Sequence, residues 1–181
     1  QDVEISLRTK PINWVDTFIN CGGIEAVASV LASTNIMSSN KDKVDFDTQS
    51  LCVSCFRAIL NTDYGMEIFL EEQQDALKNL VLILDTEHIP TRLMVLELFA
   101  IVCTWESRPE SFMLALEAMG HYKLVKREPV RFSHIVQSMK QIKSDEYRMG
   151  VFMLFNALLS SCPDTGVRSV IQGELRSLGL Q

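Results

Sequence analysis

The chain has 181 residues, 47% of them hydrophobic and 22% charged, a globular balance that excludes a disordered chain and suits one domain or a short repeat array. A net charge of −6 leaves no basic field to hold a phosphate backbone, so nucleic acid is not expected as a partner.

Taken in chain order, the segments read as helix after helix. Gln1 to Lys10 is polar and shows no signal-peptide pattern. Pro11 to Ile19 places Trp14, Val15, Phe18 and Ile19 on one face, and Gly22-Gly23 breaks that helix. Ile24 to Leu31 repeats the pattern with Ile24, Val27, Ala28 and Leu31. Residues 33–47 are polar at Ser38-Ser39-Asn40-Lys41-Asp42-Lys43 and are predicted to be a mobile loop. Asp47 is placed to cap a helix to about Asn61, and Tyr64-Gly65 reads as a turn. Met66 to Leu70 and Asp75 to Leu84 are short helices, and Pro90 closes the next connection. Helices then follow from Thr91 to Thr104, Pro109 to Met119, Arg131 to Ile142, Glu146 to Ser161 and Gly166 to Leu178. Val81 to Leu84 is the best strand candidate, but it continues a 3.6-residue period from Leu77 and Leu80. The fold class is all-α, and no apolar run reaches the roughly 20 residues of a membrane span.

Three helices resemble one another. Sliding Leu51–Asn61, Met94–Thr104 and Gly150–Ser160 together superposes Phe56, Phe99 and Phe155, which lie 43 and 56 residues apart. The least apolar positions then align in three rows: Ser54, Glu97, Met153; Arg57, Ala100, Asn156; Asn61, Thr104, Ser160. Those rows are spaced i, i+3, i+7, one stripe of a helix. A period of roughly 40–47 residues with two or three helices per unit is the armadillo/HEAT pattern. The expected architecture is an armadillo-like right-handed superhelix of three-helix repeats, about four in a single domain over residues 1–181. The stripe is its groove-lining face. A helix docking there needs small residues for close approach and a soft methionine for repacking. Asn156 is the most informative member, because an amide in an apolar helix is costly unless bonded or exposed.

Chemistry-bearing residues offer little. Cys21, Cys52, Cys55, Cys103 and Cys162 are odd in number and mostly inside apolar helical patterns, which reads as reduced thiols in a cytosolic protein. Cys52 and Cys55 form a lone CxxC without a second pair or a spaced histidine, so packing is favoured over zinc. His88, His121 and His134 are scattered. The acid pairs Glu71-Glu72 and Asp145-Glu146 lie beside a turn or a helix start. Lys123, Lys126, Arg127 and Arg131 form a local basic cluster, read as a solvated rim that could meet acidic groups. No phosphate loop or catalytic triad is present, so neither enzyme activity nor a cofactor is expected.

Longer motifs are more specific. Pro11-Ile-Asn-Trp-Val-Asp-Thr-Phe runs into Gly22-Gly23-Ile24. This resembles the opening of the armadillo region of diaphanous-related formins, a "P-x-x-W-V-x-x-F" helix followed by "GG-hydrophobic". Asn61-Thr-Asp-Tyr-Gly resembles that family's "N-x-x-(aromatic)-G" turn, and Phe155-Asn-Ala-Leu-Leu its "NAL" helix. Val167 to Leu180 resembles its "R-x-x-(hydrophobic)-R-x-E-(hydrophobic)-x-x-LGL" helix, with Gln172 where a second arginine is common. The matches run in order over nearly the whole chain.

The resemblance implies the GBD/FH3 region, or diaphanous inhibitory domain. Its concave groove binds the formin's C-terminal autoregulatory (DAD) helix, which restrains actin assembly. A Rho-family GTPase in its GTP form binds the amino-terminal end and competes with that helix. The residues so implied are Asn61 and Thr62 for the GTPase, and Ala100, Thr104, Met153, Asn156, Ala157 and Ser160 for the helix. Actin is an indirect partner through the rest of a formin, the location is the cytoplasmic actin cytoskeleton, and dimerisation belongs to the full-length protein. The short subdomain that in the family precedes the first repeat, and the dimerising segment that follows, are not recognised in these residues, so weak GTPase binding by this stretch alone is expected. The alternative is an armadillo adaptor that binds another peptide and has no GTPase link.

Overall fold

The structure, a computed structural model, describes residues 1–37 and 46–180. Its contacts divide the chain into two units, Gln1–Val95 and Leu96–Gln181. Among the described residues there are eleven α-helices and no strand. Helices stacked on their sequence neighbours are the pattern of an armadillo-like helical repeat.

The first unit holds α1 (Asp2–Thr9), α2 (Ile12–Asn20), α3 (Gly23–Met37), α4 (Phe46–Ile59), α5 (Asp63–Glu72), α6 (Gln74–Leu82) and a 3₁₀ turn at Ile83–Asp85. Helix α3 packs on α4 and α6, α1 lies on α4, and α2 touches α3 and α5. Each glycine of the Gly22-Gly23 break has its own reason. Gly22 takes φ +81°, the left-handed cap that ends α2. A side chain at Gly23 would collide with the Phe18 ring, which stacks on Trp14 one turn earlier at 5.8 Å.

Helix α1 departs from the expectation of an unstructured polar start, because only Leu7 of its eight residues is buried and its other apolar residues, Val3 and Ile5, are exposed. Helix α3 runs on to Met37 and α4 begins at Phe46, so the expected 33–47 loop loses both ends. Buried Thr34 and the Asn35 Nδ2 bond to the Asn79 carbonyl at 3.0 Å hold the added turn of α3. Residues 38–45 lie outside the described residues. Tyr64 and Gly65 stand in the first turn of α5 rather than in a turn. Pro90 opens α7 (Ile89–Thr104) instead of closing the connection, because a helix's first turn needs no N–H from proline.

The second unit takes the end of α7 with α8 (Ser111–Lys126), α9 (Ser133–Gln141), α10 (Asp145–Ser160) and α11 (Thr165–Ser177). Helix α10 packs against both α9 and α11. Ser144 and Asp164 cap α10 and α11, accepting from the N–H groups of Tyr147 and Val167. Phe56, Phe99 and Phe155 are all buried, at 0%, 0% and 4% exposure. Phe56 meets Phe69 edge-on at 5.4 Å and Phe155 meets Phe132 at 5.5 Å. No single helix among the described residues is long and apolar enough to cross a membrane.

Four of the five cysteines are buried, and Cys21 is exposed. Burial pushes the Cys55 thiol up to about 11 and the Cys103 thiol up to about 12. Both stay protonated in neutral solution, and Cys52, the other member of the CxxC pair, is buried like Cys55. The expected result at pH 8 is one fast equivalent of thiol reagent in the native protein, from Cys21, and all five after denaturation. Two or more fast equivalents would contradict this burial. Because both values are raised above the ordinary 9.0, the associated stability is whole below pH 9 and is lost as the pH rises beyond it.

Candidate functional site

Asn61 and Thr62 occupy the connection from α4 to α5. Thr62 Oγ1 donates to the Ile59 carbonyl at 2.9 Å and accepts from the Gly65 N–H at 3.0 Å. One hydroxyl thus closes α4 and caps α5. Gly65 is needed there: an added methyl would strike the Ile59 carbonyl and come within 2.7 Å of Thr62 Oγ1. The "aromatic-glycine" part of the motif follows from this close approach. The aromatic, Tyr64, hydrogen-bonds Asn20 Oδ1 at 2.5 Å and ties α5 to α2. Thr62 is half-buried and committed to this cap, whereas Asn61 is exposed.

Asn61 also borders a polar cleft of about 390 Å³ with Glu4, Arg8, Ser54, Arg57 and Met94. Arg8 pairs with Glu4 at 2.5 Å, and Arg57 is exposed. An exposed amide beside two guanidinium groups suits hydrogen bonding to a polar, acidic protein surface.

The second candidate surface lies within the Leu96–Gln181 unit. On α10, Met153 is 45% exposed and Asn156 and Ser160 are exposed, while Val151, Leu154, Phe155 and Leu158 face inward. The amide of Asn156 therefore escapes the burial cost by facing outward. Ala157 is buried at 4% exposure and backs this line rather than forming it. On α7 the line is displaced: Ala100 is buried at 5%, Ile101 is 45% exposed in its place, and Thr104 is exposed. Thr104 Oγ1 bonds the Ala100 and Ile101 carbonyls, and Ser160 Oγ the Ala157 carbonyl. Both hydroxyls are turned to their own helix, leaving small, mostly apolar surfaces outward.

Two residues beside this line were not singled out from the sequence. Met149 and Phe152 are 72% and 55% exposed on α10. Phe152 superposes on Val53 and Leu96, both fully buried, so the repeat register alone predicts it inside. Phe152, Asn156 and Leu159 form one wall of a cleft of about 390 Å³, and Gln172, Leu175 and Arg176 of α11 form the other. Its lining combines apolar side chains with two amides and a guanidinium.

Four of the remaining candidates have structural partners. His88 Nδ1 is 2.7 Å from Thr91 Oγ1 at the start of α7. His134 lies against the Tyr122 ring at 5.6 Å and Nε2 is 3.4 Å from Ser138 Oγ. Asp145 sits in the first turn of α10 and pairs with Arg148 at 3.0 Å. Arg131 pairs with Glu174 at 3.3 Å. Among the described residues no group of three or more His, Cys, Asp or Glu side chains could hold a metal ion.

Residues 1–104 match the family model described as Diaphanous GTPase-binding Domain, and residues 113–181 the one described as Diaphanous FH3 Domain. Formin-F of Dictyostelium discoideum is 34% identical over 178 residues, covering 97% of this chain and 14% of that protein. Protein diaphanous homolog 3 of Homo sapiens is 29% identical, covering 100% and 15%. Cytokinesis protein sepA of Emericella nidulans is 27% identical, covering 90% and 10%. The chain thus spans about one-seventh or less of the length of these relatives.

Proposed function

The chain belongs to the diaphanous-related formins as a GBD/FH3 region, and from that premise we propose that it is a regulatory binding module with two competing partners. The first is a Rho-family GTPase in its GTP form, received at the α4–α5 connection around Asn61. The second is the formin's C-terminal autoregulatory helix, received on the outward line of α10 and α7. Helix binding restrains the actin-assembling part of the formin, and GTPase binding relieves that restraint. The module acts without a cofactor, in the cytoplasm at the actin cytoskeleton.

The observation that carries the first half is the division of labour between Asn61 and Thr62. The connection is held by the Thr62 cap and the Gly65 approach, so Asn61 presents its amide from a fixed backbone. A fixed amide loses little entropy on docking. Support for the second half is the chemistry of α10. Met153, Asn156 and Ser160 stand exposed over a fully packed inner face, which is what a helix-in-groove partner requires.

Asn61→Asp replaces a donor-acceptor amide by a carboxylate and leaves the Thr62 cap untouched. It is expected to weaken binding of a GTP-loaded Rho-family GTPase about tenfold or more, the effect of losing one or two interface hydrogen bonds. Its melting temperature should equal that of the parent. Calorimetric titration reads both the affinity and the stoichiometry. Unchanged affinity in a folded variant would remove Asn61 from the GTPase contact.

A further inference from the structure

The carboxyl-terminal corner of α8 differs from the rest of the chain in charge and polarity. The net charge is −6, yet Lys123, Lys126 and Arg127 follow one another closely, with Glu128 the adjoining acid. Leu124 and Val125 stand among these cations, 76% and 48% exposed. Among the described residues no other large apolar side chain is as exposed as Leu124. Main-chain bonds close the helix end. Arg127 takes the left-handed conformation, φ 55° and ψ 40°, and the N–H groups of Arg127 and Glu128 bond the Leu124 and Lys123 carbonyls at 3.4 and 2.9 Å. Tyr122, beneath the corner, is buried at 3% exposure and anchors it.

We propose that this corner docks peripherally on a membrane surface rich in anionic phospholipid. A projecting apolar pair ringed by cations suits a fluid interface. Leu124 and Val125 sink toward the acyl boundary, while the ammonium and guanidinium groups stay at the level of the phosphates. A protein partner would instead have to offer a pocket for Leu124 within an acidic surround. Charge complementarity favours the lipid surface, because three cations gathered on an acidic chain meet negative charge of uniform density there. Docking of this kind is interfacial and involves no span.

The test is sedimentation of the 181-residue chain with phosphatidylcholine vesicles, made with and without phosphatidylserine. Binding is expected only with phosphatidylserine and should fall as salt is raised. Lys123→Gln with Lys126→Gln should lower the partition coefficient about 25-fold, at about fivefold per cation near an anionic surface. Leu124→Ser should lower it at low and high salt alike, with circular dichroism unchanged for each variant. Equal binding to neutral vesicles, or no effect of the double lysine variant, would overturn the proposal. So would failure to bind phosphatidylserine vesicles by a chain that binds polyglutamate through the same lysines, which would assign the corner to an acidic protein.

Discussion

Truncating Phe56, Phe99 or Phe155 to alanine, one at a time, is expected to cost about 3–5 kcal/mol of unfolding free energy in each case. The three rings align in the repeat read from the sequence of α4, α7 and α10 and are 0%, 0% and 4% exposed. Each is held by dense packing that collapses only in part when the ring is removed. Phe56 also loses its edge-on contact with Phe69, and Phe155 that with Phe132, contacts worth about 0.5–1.5 kcal/mol beyond area. A typical domain has about 5–15 kcal/mol in all, so each variant loses a large share. Denaturant titration of the three variants checks the repeat register. A loss below about 1 kcal/mol at any one position would mean that its ring fills no equivalent place.

Met153→Asp is expected to abolish binding of the autoregulatory helix while leaving the module folded. Met153 is 45% exposed on the outward line of α10, so the free protein hydrates the new carboxylate at little cost. Docking an apolar helix face over it strips that water and supplies no cation, a penalty of several kcal/mol. A micromolar complex has only about 8 kcal/mol in total. Ala157→Asp, the substitution that the "NAL" motif points to, should abolish binding as well. Ala157 is only 4% exposed, however, so its carboxylate is pressed into the unit's own packing and lowers the melting temperature too. Met153→Asp separates docking from stability, and fluorescence anisotropy of a labelled helix peptide reads the loss. A folded Met153→Asp variant that binds like the parent would move the helix site elsewhere.

The helical class and the order of elements were legible because apolar residues recur at helical spacing and each glycine or proline break is local. Helix α1 was not legible, since Leu7 alone among its residues is buried and its packing on α4 is a tertiary fact. The ends of residues 33–47 were misread for the same reason. Thr34 looks like a loop residue but is buried, and Asn35 looks like one but bonds Asn79 across the unit. At the candidate sites, the i, i+3, i+7 stripe falls on exposed positions of α10, whereas on α4 only Arg57 is exposed, Ser54 being half-buried and Asn61 lying beyond the helix end. It slipped by one residue on α7, where Ala100 and Ile101 are both compatible with either side of a helix and packing decides. Phe152 carried no signal of exposure, because a phenylalanine at a core-register position is indistinguishable in sequence from a buried one. Gly65 was legible as a motif residue, but its reason, the Ile59 carbonyl, belongs to the folded chain.

Competition between the two partners is tested most directly by one titration. The chain is saturated with a labelled autoregulatory-helix peptide, and a Rho-family GTPase is added in its GTP-loaded and then its GDP-loaded form while anisotropy is followed. The expected result is displacement of the peptide by the GTP form and little or none by the GDP form. Peptide that stays bound at saturating GTP-loaded GTPase, or that leaves equally with both nucleotides, would contradict it.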